Sequence, residues 1–201
     1  MSGRTRSGML GLRKGDALII VDYQNDFLPG GSLPVPEANE IVGVLNRMVL
    51  LFQQEALPLF ATRDWHPPDH ISFKAQGGPW PPHCVAGSGG ASFAPELNLS
   101  RDTKIISKGT RREAEAYSGF EGTNLEQMLK DLEIERIFVG GVATDYCVLN
   151  TVKDAAARGF RVVLLQDAVR GVNAAPDDSD RAIAFMKSIG VQLIQSRDLV
   201  E

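Results

Sequence analysis

The sequence is poor in cysteine, lacks long apolar stretches and has no excess of basic residues. Two cysteines among 201 residues are too few for a disulfide framework. No apolar run approaches the ~18 residues that a membrane helix needs, and no apolar secretory leader is recognisable near the start. A net charge of −4 provides no basic field for a phosphate backbone. We therefore expect a cytoplasmic protein without membrane or nucleic-acid partners.

Glycine-rich phosphate motifs are missing as well. No strand-like run is followed by GxGxxG, and GxxxxGK[ST] does not occur. A dinucleotide or P-loop function is therefore disfavoured, even if the chain forms a parallel sheet.

Short apolar runs alternate with segments of helical periodicity along most of the chain. Continuous runs such as IIV and VVLL are typical of strands covered on both faces. Six runs are predicted as strands, at residues 17–22, 57–62, 104–107, 136–140, 161–166 and 191–195. Helices are predicted at residues 37–54, 124–132, 145–158 and 177–188. This alternation predicts a three-layer α/β/α sandwich with a six-stranded parallel sheet.

The chain is predicted to form one domain over residues 16–201, preceded by a flexible basic tail over residues 1–15. The tail carries four basic residues and no acid. No internal repeat or interdomain linker divides the remainder.

Residues 63–103 form an unusually long connection without a clear element of its own. Residues 77–95 alone contain five glycines and four prolines. The connection also holds both tryptophans and all three histidines of the chain. Long connections of this kind are usually functional or disordered. The rare side chains favour an ordered, functional loop.

A carboxylate and imidazoles cluster within this connection. Asp64 and His66 lie two residues apart, so an extended backbone directs both to one side, and His83 follows later. Two imidazoles and one carboxylate suit Zn²⁺, Fe²⁺ or Mn²⁺, whereas isolated loop histidines are the alternative. His70 is either a further ligand, a residue that supports one, or a plain loop position. For Cys84 a buried thiol is favoured over a ligand.

The second cysteine, Cys147, lies in the first turn of a predicted helix after the fourth predicted strand. Unpaired amides and the helix dipole there favour a thiolate and can hold an oxyanion. Asp22 and Lys108 follow two other predicted strands, and the carboxyl ends of parallel strands share one edge of a sheet. An aspartate there can accept the thiol proton, and a lysine can stabilise the thiolate. The alternatives are a structural cysteine, a capping aspartate and a solvated lysine.

Several stretches resemble one enzyme family in the expected order, from about residue 17 to residue 173. The sequence is similar to the nicotinamidases among the isochorismatase-like cysteine hydrolases. The matching stretches are VDYQNDFLPGGSLPV (21–35), TRDWHPPDHISF (62–73), GPWPPHCV (78–85), AYSGFEGT (116–123) and GVATDYCV (141–148). The last is typical of the superfamily, and the histidine-containing stretches are more specific to nicotinamidases.

The resemblance implies a set of roles at the matching positions. The implied catalytic residues are Cys147 as nucleophile, Asp22 as general base and Lys108 as third member. The implied metal ligands are Asp64, His66 and His83, with His70 close by. The implied oxyanion hole consists of the amides of Ala143 and Cys147, after a cis peptide bond between Val142 and Ala143. The implied pocket residues are Phe27, Trp80 and Tyr117, although core packing is favoured for Phe27.

The resemblance further implies hydrolysis of nicotinamide to nicotinate and ammonia through a thioester, in NAD salvage. One divalent ion is implied, with zinc preferred over iron or manganese. The substrate is a small molecule, with pyrazinamide a further candidate, and family habit suggests a homo-oligomer. Three other functions are weighed: a related hydrolase of isochorismate, N-carbamoyl or ureido compounds, a non-heme iron oxygenase, and a silent binding domain.

Overall fold

A six-stranded parallel sheet forms the centre of the structure, a computed structural model that describes residues 9–200. The eight strands of this part of the chain are β1 (Leu10–Gly11), β2 (Asp16–Val21), β3 (Leu59–Asp64), β4 (Lys104–Lys108), β5 (Arg136–Val142), β6 (Arg161–Arg170), β7 (Gln192–Ile194) and β8 (Leu199–Val200). The central sheet has the order β4-β3-β2-β5-β6-β7, and all neighbours are parallel. The predicted six-stranded parallel sheet is confirmed.

Helices cover both faces of this sheet. The four α-helices among residues 9–200 are α1 (Val42–Gln54), α2 (Leu125–Asp131), α3 (Leu149–Ala157) and α4 (Asp178–Ser188). Along β2, Leu18 and Ile20 point into the core shared with α1, whereas Ile19 and Val21 point into the core shared with the other three helices. This alternation confirms the predicted three-layer α/β/α sandwich, since a central strand with two buried faces must be apolar throughout.

Two predicted helices begin differently from the prediction. Glu37 has φ 57°, outside the right-handed helical region, so a 3₁₀ turn at Ala38–Ile41 precedes α1. A π-helical turn at Thr144–Val148 precedes α3 and contains the second cysteine. π-Helical turns occur frequently at functional sites.

The predicted flexible tail is wrong over residues 9–15. Leu10 and Gly11 pair with Leu199 and Val200 in a separate two-stranded sheet. Leu10 also packs against the core, and the Gly11 carbonyl accepts a hydrogen bond of 2.8 Å from Arg136. Apolar side chains and backbone pairing thus hold this segment in place. Residues 1–8 of the predicted tail lie outside the described residues.

The long connection after β3 is ordered by backbone bridges rather than by regular elements. His66 pairs with Val85, and Phe73 pairs with Trp80. A short 3₁₀ turn at Lys74–Gln76 is its one named element. The connection is therefore ordered, as the prediction from its rare side chains requires. It folds over the carboxyl edge of the sheet. Across residues 9–200, no helix is both long enough and apolar enough to cross a membrane.

Candidate active site

Four polar side chains from four neighbouring strands meet at the carboxyl edge of the sheet. Asp22 follows β2, Asp64 ends β3, Lys108 ends β4, and Cys147 lies in the turn after β5. All four are buried. Parallel strands place their carboxyl ends side by side, so residues separated widely in sequence converge here.

Lys108 connects the other three groups. Its Nζ atom lies 2.9 Å from Asp22 Oδ2 and 2.5 Å from Asp64 Oδ1. It donates to Cys147 Sγ at 3.4 Å and to the Ala116 carbonyl at 3.2 Å. A single buried cation thus contacts the proposed nucleophile, the proposed base and a proposed metal ligand. The alternative of a solvated strand end is wrong for Lys108.

The charges at this site stabilise one another against the cost of burial. Burial opposes the cationic form of Lys108, but Asp22 and Asp64 outweigh it, so its pKa is well above the ordinary value. Burial also opposes ionisation of Asp64, but Lys108 and His66 outweigh it and lower the pKa of this carboxyl. We infer that Lys108 is charged and Asp64 is ionised at neutral pH.

Asp22 differs from Asp64 because burial dominates its ionisation. Its pKa is raised above the ordinary value of 3.8, despite the opposing effects of Lys108 and a hydrogen bond from Thr62. Thr62 Oγ1 donates to Asp22 Oδ1 at 2.6 Å, which leaves Oδ2 on the side of Lys108. A carboxylate with a raised pKa accepts a proton more readily, as a general base requires.

Cys147, the predicted nucleophile, lies in surroundings that favour the thiol. Burial raises the pKa of Cys147 well above the ordinary thiol value of 9.0, and Asp22 and Asp64 add to this, while Lys108 acts in the opposite direction. Burial and nearby carboxylates thus act against the thiolate that the sequence analysis expected. A protonated thiol needs a base before it can attack a carbonyl carbon.

Asp64, His66 and His83 fit a divalent metal ion. One donor atom from each lies within 4.8 Å of the others. His66 Nδ1 donates to the Gly109 carbonyl at 2.9 Å, and His83 Nδ1 donates to the carbonyl of Pro81 at 2.8 Å. These bonds leave the Nε2 lone pairs of both rings for a metal, a common arrangement for histidine ligands.

His70 lies behind the candidate ligands, with both ring nitrogens engaged. Its Nε2 donates to the Ala114 carbonyl at 3.1 Å, and its Nδ1 accepts from Ser72 Oγ at 2.7 Å. The ring stacks on His66 with 4.1 Å between centroids. Of the alternatives left open, this geometry favours a residue that supports a ligand.

Three aromatic rings contact one another near Cys147, and two of them, Tyr117 and Tyr146, pack against the core cluster that includes this cysteine. Trp80 Nε1 donates to Tyr117 Oη at 2.9 Å, and both rings contact Tyr146, at centroid distances of 5.1 and 5.7 Å. Phe27 is buried, 5.7 Å from the His83 ring, so it packs within the core and also contacts a candidate ligand. Flat faces of this kind suit an aromatic ring.

Sequence reasoning missed several residues that hold the site together, of which Gln24 is the clearest. Gln24 Oε1 accepts from the Asp64 amide at 2.8 Å, and Nε2 donates to the carbonyls of Asp64 and Ala91 at 2.8 and 2.9 Å. Thr62 and Tyr146 were also missed. Gln24 lies in a matching stretch, but neither charge nor periodicity distinguishes it.

The turn that carries Cys147 starts from an unusual backbone. The peptide bond between Val142 and Ala143 is cis, as the resemblance implied. Gly141 has φ 121°, and a Cβ atom there would lie 2.1 Å from the Val21 carbonyl oxygen. The carbonyl of Ala143 then accepts from the amides of Tyr146 and Val148, both at 3.0 Å. Glycine is required at position 141, because a side chain there would collide with the backbone of Val21.

Comparisons with known proteins identify the family of this chain. The family described as Isochorismatase domain matches residues 16–198. The chain belongs to the isochorismatase family. Among characterised relatives of this isochorismatase-family chain, the nicotinamidase of Escherichia coli is 38% identical over 92% of this chain and 97% of its own.

Solved isochorismatase-family structures are also similar. A pyrazinamidase of Pyrococcus horikoshii in complex with zinc has a TM-score of 0.87 and 49% identity, covering 90% of this chain and 99% of its own. PnC1 from L. infantum in complex with nicotinate has a TM-score of 0.87 and 38% identity, covering 96% and 98%. The predicted resemblance is confirmed.

Proposed function

We propose that this protein is a nicotinamidase, a cysteine amidohydrolase that converts nicotinamide and water to nicotinate and ammonia. The observation that carries the proposal is the position of Lys108 Nζ, 2.9 Å from Asp22 Oδ2, 2.5 Å from Asp64 Oδ1 and 3.4 Å from Cys147 Sγ. It unites a nucleophile, a base and a metal-ligand set in one buried site. The relatives named nicotinamidase and pyrazinamidase support the same substrate class.

Acylation begins with the protonated thiol of Cys147. Asp22 takes the thiol proton as Sγ attacks the carboxamide carbon, and the carbonyl oxygen becomes an oxyanion against the amides of Ala143 and Cys147. Lys108 contacts both the Cys147 sulfur and the Asp22 carboxylate, so its positive charge balances the negative charge as that charge moves from one group to the other. Asp22 then gives its proton to the amide nitrogen, the C–N bond breaks, and ammonia leaves a thioester.

Deacylation repeats the two roles of the same carboxylate. Asp22 takes a proton from water as the water oxygen attacks the thioester carbon. The C–S bond breaks, Asp22 gives its proton to sulfur, and Cys147 is a thiol again. The product leaves as nicotinic acid, which loses its carboxyl proton to solvent and becomes nicotinate. One residue serves as base in each attack and as acid in each collapse, which requires a pKa above that of a solvated aspartate.

The pyridine ring would lie between the aromatic walls and the ligand set. Trp80, Tyr117 and Tyr146 supply the flat faces, while Asp64, His66 and His83 would hold a divalent ion, for which we propose zinc. An ion held by these three residues would supply a Lewis-acid site for the nitrogen of the pyridine ring. The structure of a relative with zinc supports this choice of metal.

The cellular setting follows from the reaction and from cysteine chemistry. Nicotinate is a precursor for NAD salvage, which we propose as the pathway. Both cysteines are free and buried, in keeping with the reducing cytoplasm. Pyrazinamide, which has the same carboxamide on a similar ring, is proposed as a second substrate. The homo-oligomer stays a prediction.

Ammonia release from nicotinamide by the purified protein tests the proposal. The assay compares metal-replete protein, chelated protein and Cys147→Ala, with metal content measured in each. We expect turnover in the metal-replete protein alone, and normal metal content in the Cys147→Ala variant. Activity retained in Cys147→Ala would refute the thioester route.

A substrate panel separates the proposal from its nearest rival. Nicotinamide, an N-carbamoyl compound and isochorismate are assayed under the same conditions. Turnover of either of the last two, without turnover of nicotinamide, would assign the site to another hydrolase with the same fold.

A further inference from the structure

The residue two positions before Cys147 has a carboxylate whose hydrogen-bond partners are backbone amides and not the reacting groups. Asp145 lies in the π-helical turn Thr144–Val148. Its Oδ1 accepts from the Val172 amide at 2.9 Å, and its Oδ2 accepts from the Asn173 amide at 2.7 Å. Both oxygens are thus engaged by the connection between β6 and α4, and a role in proton transfer is not indicated.

The other hydrogen bonds of this connection join it to α4 rather than to the turn: the Asn173 side chain accepts from the Ser179 amide at 2.9 Å, and the Pro176 carbonyl accepts from Arg181 at 2.9 Å. Residues 173–177 are exposed, whereas Gly171 is buried against Asp145. A Cβ atom on Gly171 would lie 2.9 Å from Asp145 Oδ1 and 1.9 Å from Ser179 Oγ. The close approach and the paired hydrogen bonds place the carboxylate between two backbone segments in a defined position.

The bonded segments lie directly next to the proposed oxyanion hole. Val142, which precedes the Ala143 amide, is in register with Arg170 of β6. The turn from Ala143 to Cys147 and the segment from Gly171 to Asn173 therefore leave adjacent strands side by side. Hydrogen bonds to the Asp145 carboxylate join the turn to this segment just beyond Val142 and Arg170, the last paired residues of the two strands.

We propose that Asp145 is a positioning residue, which fixes the turn that carries the Cys147 sulfur and the oxyanion-binding amides. The inference rests on the proposed function for its catalytic meaning. Charge-assisted hydrogen bonds from two amides are stronger and shorter than neutral ones, so the carboxylate restrains the turn better than a neutral side chain. A displacement of about 1 Å at a reacting group can cost about 100-fold in rate.

Asp145→Asn is the informative substitution, because an amide keeps the shape but offers only one acceptor oxygen. We expect kcat for nicotinamide to fall about 10- to 100-fold while KM changes by less than about 3-fold. Affinity for pyridine-3-carbaldehyde, which forms a tetrahedral adduct with a thiol, should fall by a similar factor. Affinity for nicotinate, which binds without a developing oxyanion, should be unchanged.

A readout without turnover keeps this inference separate from the proposed function. Alkylation of Cys147 by iodoacetamide is followed by mass spectrometry. We expect faster alkylation in Asp145→Asn, since a loosened turn exposes a thiol that is only 6% exposed. Asp180→Asn, the same change at an exposed position of α4, is the matched control and should behave as wild type.

The outcomes are distinct. If the wild-type protein releases no ammonia, the proposed function fails, and the alkylation comparison alone decides whether Asp145 positions the turn. If Asp145→Asn matches Asp180→Asn in kcat and alkylation, the inference is wrong. If kcat falls only with the folded fraction, and aldehyde affinity is unchanged, the role is structural and the inference is also wrong. Should Asp145→Asn not fold, Asp145→Glu keeps the charge but shifts it, and the same kcat, aldehyde and alkylation criteria apply.

Discussion

Replacing Lys108 with methionine tests whether the buried cation stabilises the fold as well as the chemistry. The Lys108 side chain is fully buried between Asp22 and Asp64. Methionine occupies a similar volume without charge, so two carboxylates would remain in the interior without their partner. Removing one member of a buried ion pair is strongly destabilising for this reason.

The magnitude follows from the geometry. Oxygens of Asp22 and Asp64 lie within 4.8 Å of each other. Two unit charges about 5 Å apart repel by about 3 kcal/mol at an effective dielectric constant of about 20, and breaking a buried pair costs about 3–5 kcal/mol. For a domain of this size each kcal/mol lowers the melting temperature by about 2–4 °C, so Lys108→Met should lower it by about 6–20 °C.

Thermal unfolding of the metal-free protein, followed by circular dichroism, measures this loss. Lys130→Met is the matched control, because Lys130 forms an exposed i,i+4 pair with Glu126 on α2, and exposed ion pairs contribute little to stability. Adding Asp22→Asn to Lys108→Met should restore part of the stability, since one of the two unpaired charges is removed. If Lys108→Met melts within about 2 °C of the control, the cation does not stabilise the fold as argued.

Three further outcomes are expected. Gly109→Ala should weaken zinc binding about 10- to 100-fold in a competition titration. Gly109 has φ 60°, and a Cβ atom there would lie 2.4 Å from Cε1 of His66. Unchanged zinc affinity would contradict the assignment of His66 as a ligand. At low pH, kcat/KM should fall with an apparent pKa above 3.8. Burial raises the pKa of Asp22, and only the ionised form of this residue accepts the thiol proton. An acid limb with a pKa below 3.8 in the pH profile would refute Asp22 as the base. Trp80→Phe, which removes the 2.9 Å hydrogen bond to Tyr117, should raise KM about 3- to 10-fold with kcat nearly constant, and an equal fall in kcat would place the bond in the chemical step instead.

The framework of the fold was predictable because strands of a parallel sheet that are covered on both faces are mostly apolar. Runs such as IIV in β2 are typical of such strands, and the carboxyl ends of parallel strands lie at one edge of the sheet. That rule alone placed Asp22, Lys108 and Cys147 at one edge. The carboxylate and imidazoles clustered in the long connection indicated the ligand set, and the resemblance supplied the cis peptide bond.

The supporting contacts were not predictable, because side-chain hydrogen bonds between distant segments leave no periodic trace. Thr62 and Gln24 contact partners 40 residues away, and neither shows a spacing that predicts its role. The thiol pKa of Cys147 was misjudged for a related reason. Burial at a sheet edge depends on how the long connection folds over it, which local patterns do not encode.

The hydrogen bonds of Gln24 have a consequence for the order in which the protein folds. This side chain joins β2 to the end of β3 and to Ala91, across 40 and 67 residues of chain. The central sheet joins segments that are still farther apart, since Asp16 of β2 pairs with Arg136 of β5 across 120 residues. Contacts of such long range form slowly, because a large loop must close before they are made. During refolding, strand signals and the assembled site should therefore return together, and a molecule without its sheet would not yet be a catalyst.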